Sequence, residues 1–464
     1  MDMNENFTEK KEHILNGKQN AIYNLPNMGI QLIFALLTNF VIIFYVNVMD
    51  QPPLYIGVIN SLFLVFGAFL NPIWGAVADR IRTKLGRKKT LVLLSAPVIA
   101  VAQILIWSPP IIFNEGLLYN LTILIWFGSS YFIYVIGTSA FQTSYLAMIP
   151  EISTQEQNRL KISILNMITM VIGAAIGIFV PILILQNATK NLSKSQSDLS
   201  IGTHQGRLIY DWIGFTSIFV AAFFIITVLL MNWKIKEPEM EIKGNNSIKS
   251  AIKNVIEPYK DRNFGNYLIS YFLLFVIITI FQMLILNYST FVLGLRGDDF
   301  LIFAVIAFVA ATISFFFFFF FSKKYNLKRF MEICLILGSI AFLSNLIFFF
   351  PVPEFLIMPI GLLIAAFCLA TFIGALIYPM AIVSNIIDLA HERTGKNLSG
   401  SYMGSMTMTT SLASACGIFI ISIFLEWLGS ENSLSFLSLY LLAGFLNLIS
   451  YYSSKKVKTA KARK

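Results

Sequence analysis

Apolar runs of membrane-spanning length recur along all 464 residues of this chain. About 20 consecutive apolar residues suffice to cross a bilayer as a helix. We place twelve such runs at about 23–48, 54–79, 89–108, 117–149, 160–186, 209–233, 264–293, 299–322, 329–351, 355–387, 399–427 and 433–453. Only 12% of the residues are charged, against about 25% in soluble domains. The sequence therefore predicts an all-α integral membrane protein with twelve transmembrane helices.

One long polar connection divides these runs into two sets of six. The predicted organisation is an N-terminal segment (1–22), a six-helix bundle (23–233), a linker (234–263), a second six-helix bundle (264–453) and a basic tail (454–464). Arg159–Phe179 also matches Ser399–Phe419 at an offset of 240 residues, and Thr169 aligns with Thr409. Two parallel six-helix repeats with a site between them near the membrane midplane are typical of transporters.

The net charge of +10 follows membrane topology. All but four of the 34 Lys and Arg residues lie in segments that the twelve spans place on one side. An excess of Lys and Arg marks the cytoplasmic side of a membrane protein. We therefore expect a multi-pass protein of the plasma membrane with both termini in the cytoplasm, and no nucleic-acid partner is needed to explain the charge.

The short connection between the second and third runs has the features of a gate. It carries Gly75, Asp79, Arg80, Gly86 and Arg87. Glycine lets a neighbouring helix approach closely, and a carboxylate is stabilised beside the positive N-terminal end of another helix. These residues are therefore predicted to form a contact between helices that can be broken and remade.

The same stretch, Gly-x3-Asp-Arg followed by Gly-Arg-Lys, resembles the loop between helices two and three of the major facilitator superfamily. The preceding Asn71-Pro72-Ile73-Trp74 and the long spacer Arg80–Gly86 are most similar to the glycoside-pentoside-hexuronide:cation symporters, the melibiose-carrier branch. The resemblance implies a symporter-like sugar transporter that works by alternating access between its two halves.

The chain departs from that branch at the charged functional positions. Neutral residues stand where the resemblance places aspartates, an arginine and a lysine: Asn27, Gly67, Asn71, Gln142, Asn166 and Ser411. The joint absence of the acidic and the basic residues is self-consistent, because losing residues of only one sign would leave an unpaired charge in the low-dielectric interior. The carboxylates that couple sodium, lithium or protons in melibiose carriers are thus missing from these positions.

A neutral, hydrogen-bonding lining remains for a central site. Its predicted members are Asn27, Gln31, Asn71, Tyr134, Ser139, Gln142, Asn166, Gln282, Asn287, Tyr378, Thr407 and Ser411. Amides and hydroxyls with nearby aromatic rings suit a sugar, whose hydroxyl groups both donate and accept hydrogen bonds. For each residue, a hydrogen bond between two helices is the alternative interpretation.

The absences in the sequence exclude other classes of function. No Lys, Arg, His, Asp or Glu lies near the middle of a span, where such residues usually mark proton and ion pathways, and no catalytic or phosphate-binding motif is present. The three cysteines fall within apolar runs and are interpreted as packing residues. We expect a monomeric transporter without enzyme activity, metal or cofactor that moves a small neutral solute, most simply a sugar or glycoside. The alternatives are a lysolipid transporter of the same fold and a non-transporting sensor.

Overall fold

The computed structural model describes residues 15–81, 83, 85–111, 117–152, 156–190, 199–235, 258, 261–322, 327–377, 379, 382, 383, 386 and 399–457. These residues form twelve long helices. In chain order they are α1 (Gly17–Ile42, continued by a π-helix over Ile43–Val48), α2 (Pro53–Arg80), α3 (Arg87–Ile106), α4 (Leu117–Ile152), α5 (Glu156–Thr189), α6 (His204–Lys234), α7 (Arg262–Phe291), α8 (Asp299–Ser322), α9 (Leu327–Leu343, continued by a 3-10 helix over Ser344–Phe349), α10 (Glu354–Ile377), α11 (Ser399–Leu428) and α12 (Ser433–Lys455).

The twelve helices match the twelve predicted spans. Within the described residues, eleven of them are long and apolar enough to cross a membrane, and α8 contains a shorter apolar stretch, Asp299–Ser314. The prediction of an all-α membrane fold is thereby confirmed. The predicted linker and basic tail fall largely outside the described residues.

The helix starts differ from the predicted spans where polar side chains extend a helix beyond its apolar run. α1 begins at Gly17, six residues early, because Asn16 and Gln19 form a reciprocal capping box. α6 begins at His204, where the Thr203 hydroxyl accepts a hydrogen bond from the Gly206 amide. Such caps satisfy backbone N–H groups that have no partner within the helix, and hydropathy alone does not detect them.

The first six helices and the last six pack in the same pattern. α1 contacts α5 and α6, α3 contacts α4 and α6, and α2 contacts α4. Six helices later, α7 contacts α11 and α12, α9 contacts α10 and α12, and α8 contacts α10. The fold therefore consists of two parallel six-helix repeats.

Glycines allow close crossings within each bundle. A Cβ atom added to Gly173 of α5 would overlap the Met28 carbonyl of α1, and one on Gly177 would lie 2.7 Å from the Leu32 carbonyl oxygen. In the second bundle, a Cβ atom on Gly417 of α11 would lie 3.0 Å from Thr279 of α7. These glycines thus allow α1 to lie close to α5 and α7 to lie close to α11.

The two bundles meet chiefly through the helix pairs α1–α7, α2–α11 and α5–α8. We call the end of the molecule that holds the α2–α3 turn the basic end, and the opposite end, where α1 connects to α2, the far end. Four hydrogen bonds between described residues join the bundles: Asn287 to Asn47, Leu54 to Glu426, Gln186 to Asp298 and Gly297 to Thr189. Each of them lies at the far end.

Candidate functional site

A half-exposed stripe on α1 marks an internal cavity. Between Gly29 and Met49, the α1 side chains that are not buried are Gln31, Phe34 and Thr38. Their spacing of three and four residues places them on one face of the helix. α1 packs against α5, α6 and α7, and 83% of its apolar window is buried, more than in any other candidate span. We therefore infer that this face lines a space between the helices rather than contacting lipid.

Gln142 of α4 faces the same interior. Its neighbour Tyr145 stacks on Tyr23 of α1, with ring centroids 4.8 Å apart, and Thr143 contacts Asn71 of α2. Because successive residues of a helix are about 100° apart, Gln142 lies between the directions of these two contacts. It is exposed and has no hydrogen-bond partner among the described residues, so its amide is available inside the space bounded by α1, α2 and α4.

The second bundle contributes an equivalent stripe on α7. From Leu274 to Thr290, the side chains that are not buried are Phe275, Gln282 and Ile285. α7 packs against α1, α11 and α12, so this stripe also faces inward. Gln282 has no hydrogen-bond partner within the described part of the chain.

Two predicted binding residues are instead engaged with each other. The Asn27 side-chain amide donates to the Asn166 carbonyl at 2.8 Å and lies 3.3 Å from the Thr169 hydroxyl. The Asn166 amide donates to Asn24 Oδ1 at 3.1 Å. These bonds fasten α1 to α5 beside the close crossing at Gly173. For Asn27 and Asn166, the geometry therefore favours hydrogen bonds between two helices over contacts with a substrate.

The other predicted lining residues have varied surroundings. Asn71 is half-buried, and the ring of Tyr134 is buried. The Ser411 hydroxyl, which is half-buried, donates to the Thr407 carbonyl one turn earlier. Asn287 is completely buried at the far end. Tyr378 lies outside the described residues.

Sequence reasoning missed Phe34 and Thr38. An apolar ring and a small hydroxyl on the first span carry no signal in the sequence, because most such residues pack against neighbouring helices. The signal that finds them is their exposure in the structure, which reaches 42% for Phe34 on a helix that is otherwise buried from Gly29 to Met49. An exposed ring beside free amides provides stacking and hydrogen bonding in one cavity, and every side chain of the two stripes is neutral.

The predicted gate residues lie at the basic end. α2 carries Gly75 and Asp79 and ends at Arg80; the structure does not describe the side chains of Asp79 and Arg80. A Cβ atom on Gly75 would lie 3.6 Å from Thr143 Cγ2, an ordinary contact. In this conformation Gly75 therefore faces α4 without a close approach that only glycine would allow.

Gly86 determines the shape of the turn between α2 and α3. Its φ of 109° lies in a region that side chains disfavour, and Arg87 begins α3 directly after it. The hydroxyl groups of Thr83 and Thr90 both donate to the Gly86 carbonyl, at 2.9 and 2.6 Å. The turn is thus held by one glycine and two threonines.

Two lysines of this turn are buried and cap other helices. Lys88 Nζ donates to the Ala147 carbonyl near the end of α4, and Lys89 Nζ donates to the Ile235 carbonyl at the end of α6, both at 2.6 Å. Cations are stabilised at the C-terminal ends of helices. Membrane topology explained these charges from the sequence, and the structure adds that they bind α3 to α4 and α6.

Two parallel six-helix repeats are the architecture of the major facilitator type of membrane transporter. A protein-family model described as MFS/sugar transport protein matches residues 22–450. The chain therefore belongs to this family, whose members are transporters and not enzymes. No curated protein matches its sequence.

Solved structures with the same fold are distant in sequence. The xylose transporter XylE from E. coli in an inward-open conformation is 14% identical, with a TM-score of 0.67 over 96% of this chain and 97% of that one. The nucleoside transporter NupG is 14% identical, with a TM-score of 0.63 over 96% and 100%. A POT family transporter in complex with a thioalcohol-conjugated peptide is 13% identical, with a TM-score of 0.62 over 96% of each chain. At these identities, the likeness shows the fold alone.

Proposed function

We propose that this chain moves a small neutral solute, a sugar or glycoside, across the plasma membrane by alternating access. The observation that carries the proposal is the set of amides of Gln31, Gln142 and Gln282, unpaired among the described residues, around a cavity whose described stripes bear no charge. Such amides donate to and accept from hydroxyl groups, and the exposed Phe34 ring offers a face for the C–H side of a sugar. The description of the family as MFS/sugar transport protein supports the same substrate class.

The proposed orientation places the basic end and both termini in the cytoplasm. Lys and Arg concentrate on the cytoplasmic side of membrane proteins. With the bundles joined at the far end, the present conformation is then inward-facing. Gly75, Asp79, Arg80, Gly86 and Arg87 belong to the gate that closes the cytoplasmic side in the opposite conformation. One chain contains both bundles, so a monomer suffices.

A second candidate substrate is an amphipathic lipid such as a lysolipid. The half-exposed Phe275 and Ile285 on the α7 stripe favour it, since an acyl chain would pack against this wall. The polar groups of the first bundle favour the sugar.

Uptake of labelled solutes into proteoliposomes distinguishes these candidates. We expect uptake of at least one sugar or glycoside above that of protein-free liposomes, with lysolipid movement unchanged. Movement of lysolipid without any sugar would replace the first proposal by the second.

A further inference from the structure

Side chains of corresponding helices in the two bundles meet at the far end. Asn47, on the π-helical end of α1, meets Asn287 of α7, and Asn287 Nδ2 donates to Asn47 Oδ1 at 3.4 Å. The two residues come from the far ends of α1 and α7, which are the first helices of their bundles. This pair therefore joins corresponding helices of the two repeats at the closed end.

Burial makes this amide pair sensitive to separation of the bundles. Asn47 is 4% exposed and Asn287 is 0% exposed. Beyond their mutual bond, Asn47 Nδ2 and Asn287 Oδ1 have no hydrogen-bond partner among the described residues. A buried amide that loses its partner pays a desolvation penalty unless water replaces that partner. The two amides are thus satisfied when the far end is closed, and again when it is open enough for water to reach them. Partial separation of the bundles leaves them without partners and is unfavourable.

Two further contacts at the far end are equivalent in the two repeats. Gln186 near the end of α5 donates to Asp298, directly before α8, at 2.8 Å. Glu426 near the end of α11 accepts from the Leu54 amide in the first turn of α2 at 3.3 Å. Residues 186 and 426 are 240 apart, the offset at which α5 matches α11. Gln186 and Glu426 thus occupy equivalent positions, and each contacts the start of a helix in the other bundle.

The loop that receives Gln186 is itself fixed. Arg296 Nη1 donates to the carbonyls of Thr290 and Leu295, at 3.0 and 2.7 Å. Partial burial lowers the pKa of the Arg296 guanidinium, and the charge of Glu431 opposes this shift; an arginine remains protonated all the same. Gly297, at a φ of 50°, then donates its amide to Thr189 of α5 at 3.1 Å.

We infer that these contacts form a far-end clasp, defined by the Asn47–Asn287, Gln186–Asp298 and Glu426–Leu54 contacts. The clasp holds the far end closed, and its contacts break together when the bundles rock to the opposite conformation. This inference rests on the proposed alternating access. It does not depend on the identity of the substrate, because each contact joins one bundle to the other outside the cavity stripes.

Distances between spin labels at the far end test the clasp. Leu118 at the start of α4 and Phe355 at the start of α10 are exposed, belong to different bundles and take no part in the clasp. Each is changed to cysteine in a background where Cys334, Cys368 and Cys416 are replaced by alanine. Double electron–electron resonance then measures the populations with the far end closed and open.

Removing the clasp should raise the open-to-closed ratio. We expect about a fivefold rise for Asn47→Ala, which breaks one buried hydrogen bond, and no further rise when Asn287→Ala is added, because both residues serve the same bond. Gln186→Ala and Glu426→Gln, at exposed contacts, should each give about a twofold rise. Asn47→Ala, Gln186→Ala and Glu426→Gln together should give about a twentyfold rise, because separate contacts add in free energy.

Asn39→Ala is the matched control. Asn39 is a buried α1 amide whose side chain donates to the Ala35 carbonyl of its own helix, so its loss should leave the distances unchanged. The inference is overturned if the triple variant gives the distance distribution of Asn39→Ala while both elute as folded monomers. Since no substrate is needed, shifted distances without sugar uptake would contradict only the proposed substrate. Sugar uptake with unshifted distances would contradict only the clasp.

Discussion

Asn27 and Gln31 lie one helical turn apart on α1, yet they have different surroundings. The Asn27 amide is bonded to the Asn166 carbonyl, whereas Gln31 is half-exposed and lies on the cavity stripe. The amide of Asn27 therefore stabilises the first bundle, whereas the amide of Gln31 is available to a substrate. Which of the two applies depends on where α5 crosses, and no property of residue 27 or 31 reveals this.

Truncating the free amides should weaken substrate binding. Gln31→Ala and Gln142→Ala each remove one hydrogen bond to a bound sugar, whose net value is about 1 kcal/mol, so we expect a rise in KM of about fivefold. Initial rates of uptake at varied sugar concentration measure this. Asn39→Ala is the control and should keep the KM of the native protein.

Asn27→Ala should act through stability instead. It leaves the KM of folded protein nearly unchanged and lowers the melting temperature, because the α1–α5 contact is weakened. The opposite result would be an unchanged melting temperature together with a rise in KM of about fivefold, as expected for a lost substrate hydrogen bond. That result would place Asn27 in the binding site.

At the scale of the elements, α1 is held by close backbone contact with α5. A Cβ atom at Gly173 would overlap the Met28 carbonyl, which is backbone and cannot rotate away. The helices must then separate or shift. α1 also carries the cavity stripe, so its position relative to α5 determines the shape of the site.

Gly173→Val should therefore destabilise the first bundle strongly. Overpacking at a tight helix crossing costs about 3 kcal/mol, and we expect a clear loss of thermal stability in detergent. The matched variant is Gly214→Val on α6, where a Cβ atom would meet nothing within 4 Å. Equal melting temperatures for the two variants would show that α1 and α5 cross less closely than the Gly173–Met28 contact requires.

At the scale of the whole molecule, the apolar runs were sufficient to predict twelve helices, because a membrane span must be long and apolar whatever it packs against. The offset of 240 residues between α5 and α11 also indicated the repeat that the packing pattern confirms. Helix ends were predicted less well, since caps such as Asn16 and Thr203 lie outside the apolar runs.

The cavity was predictable only in its chemistry. The sequence indicated neutral amides in the spans, and Gln31, Gln142 and Gln282 do remain unpaired among the residues that the structure describes. It did not separate them from Asn27 and Asn166, and it gave no indication of Phe34 or of the Asn47–Asn287 contact. These features depend on how helices distant in the chain pack together, which composition and periodicity do not encode.

We further propose that the neutral cavity moves its solute without coupling it to an ion, because neutral residues stand where the resemblance to melibiose carriers places the coupling carboxylates. The most direct test is uptake of a transported sugar into proteoliposomes with and without imposed sodium, lithium and proton gradients. With neutral residues at the positions of the coupling carboxylates, we predict that the sugar equilibrates and that no gradient raises its internal concentration above the external one. Accumulation driven by any of these gradients would contradict the account and reveal a cation site elsewhere in the chain.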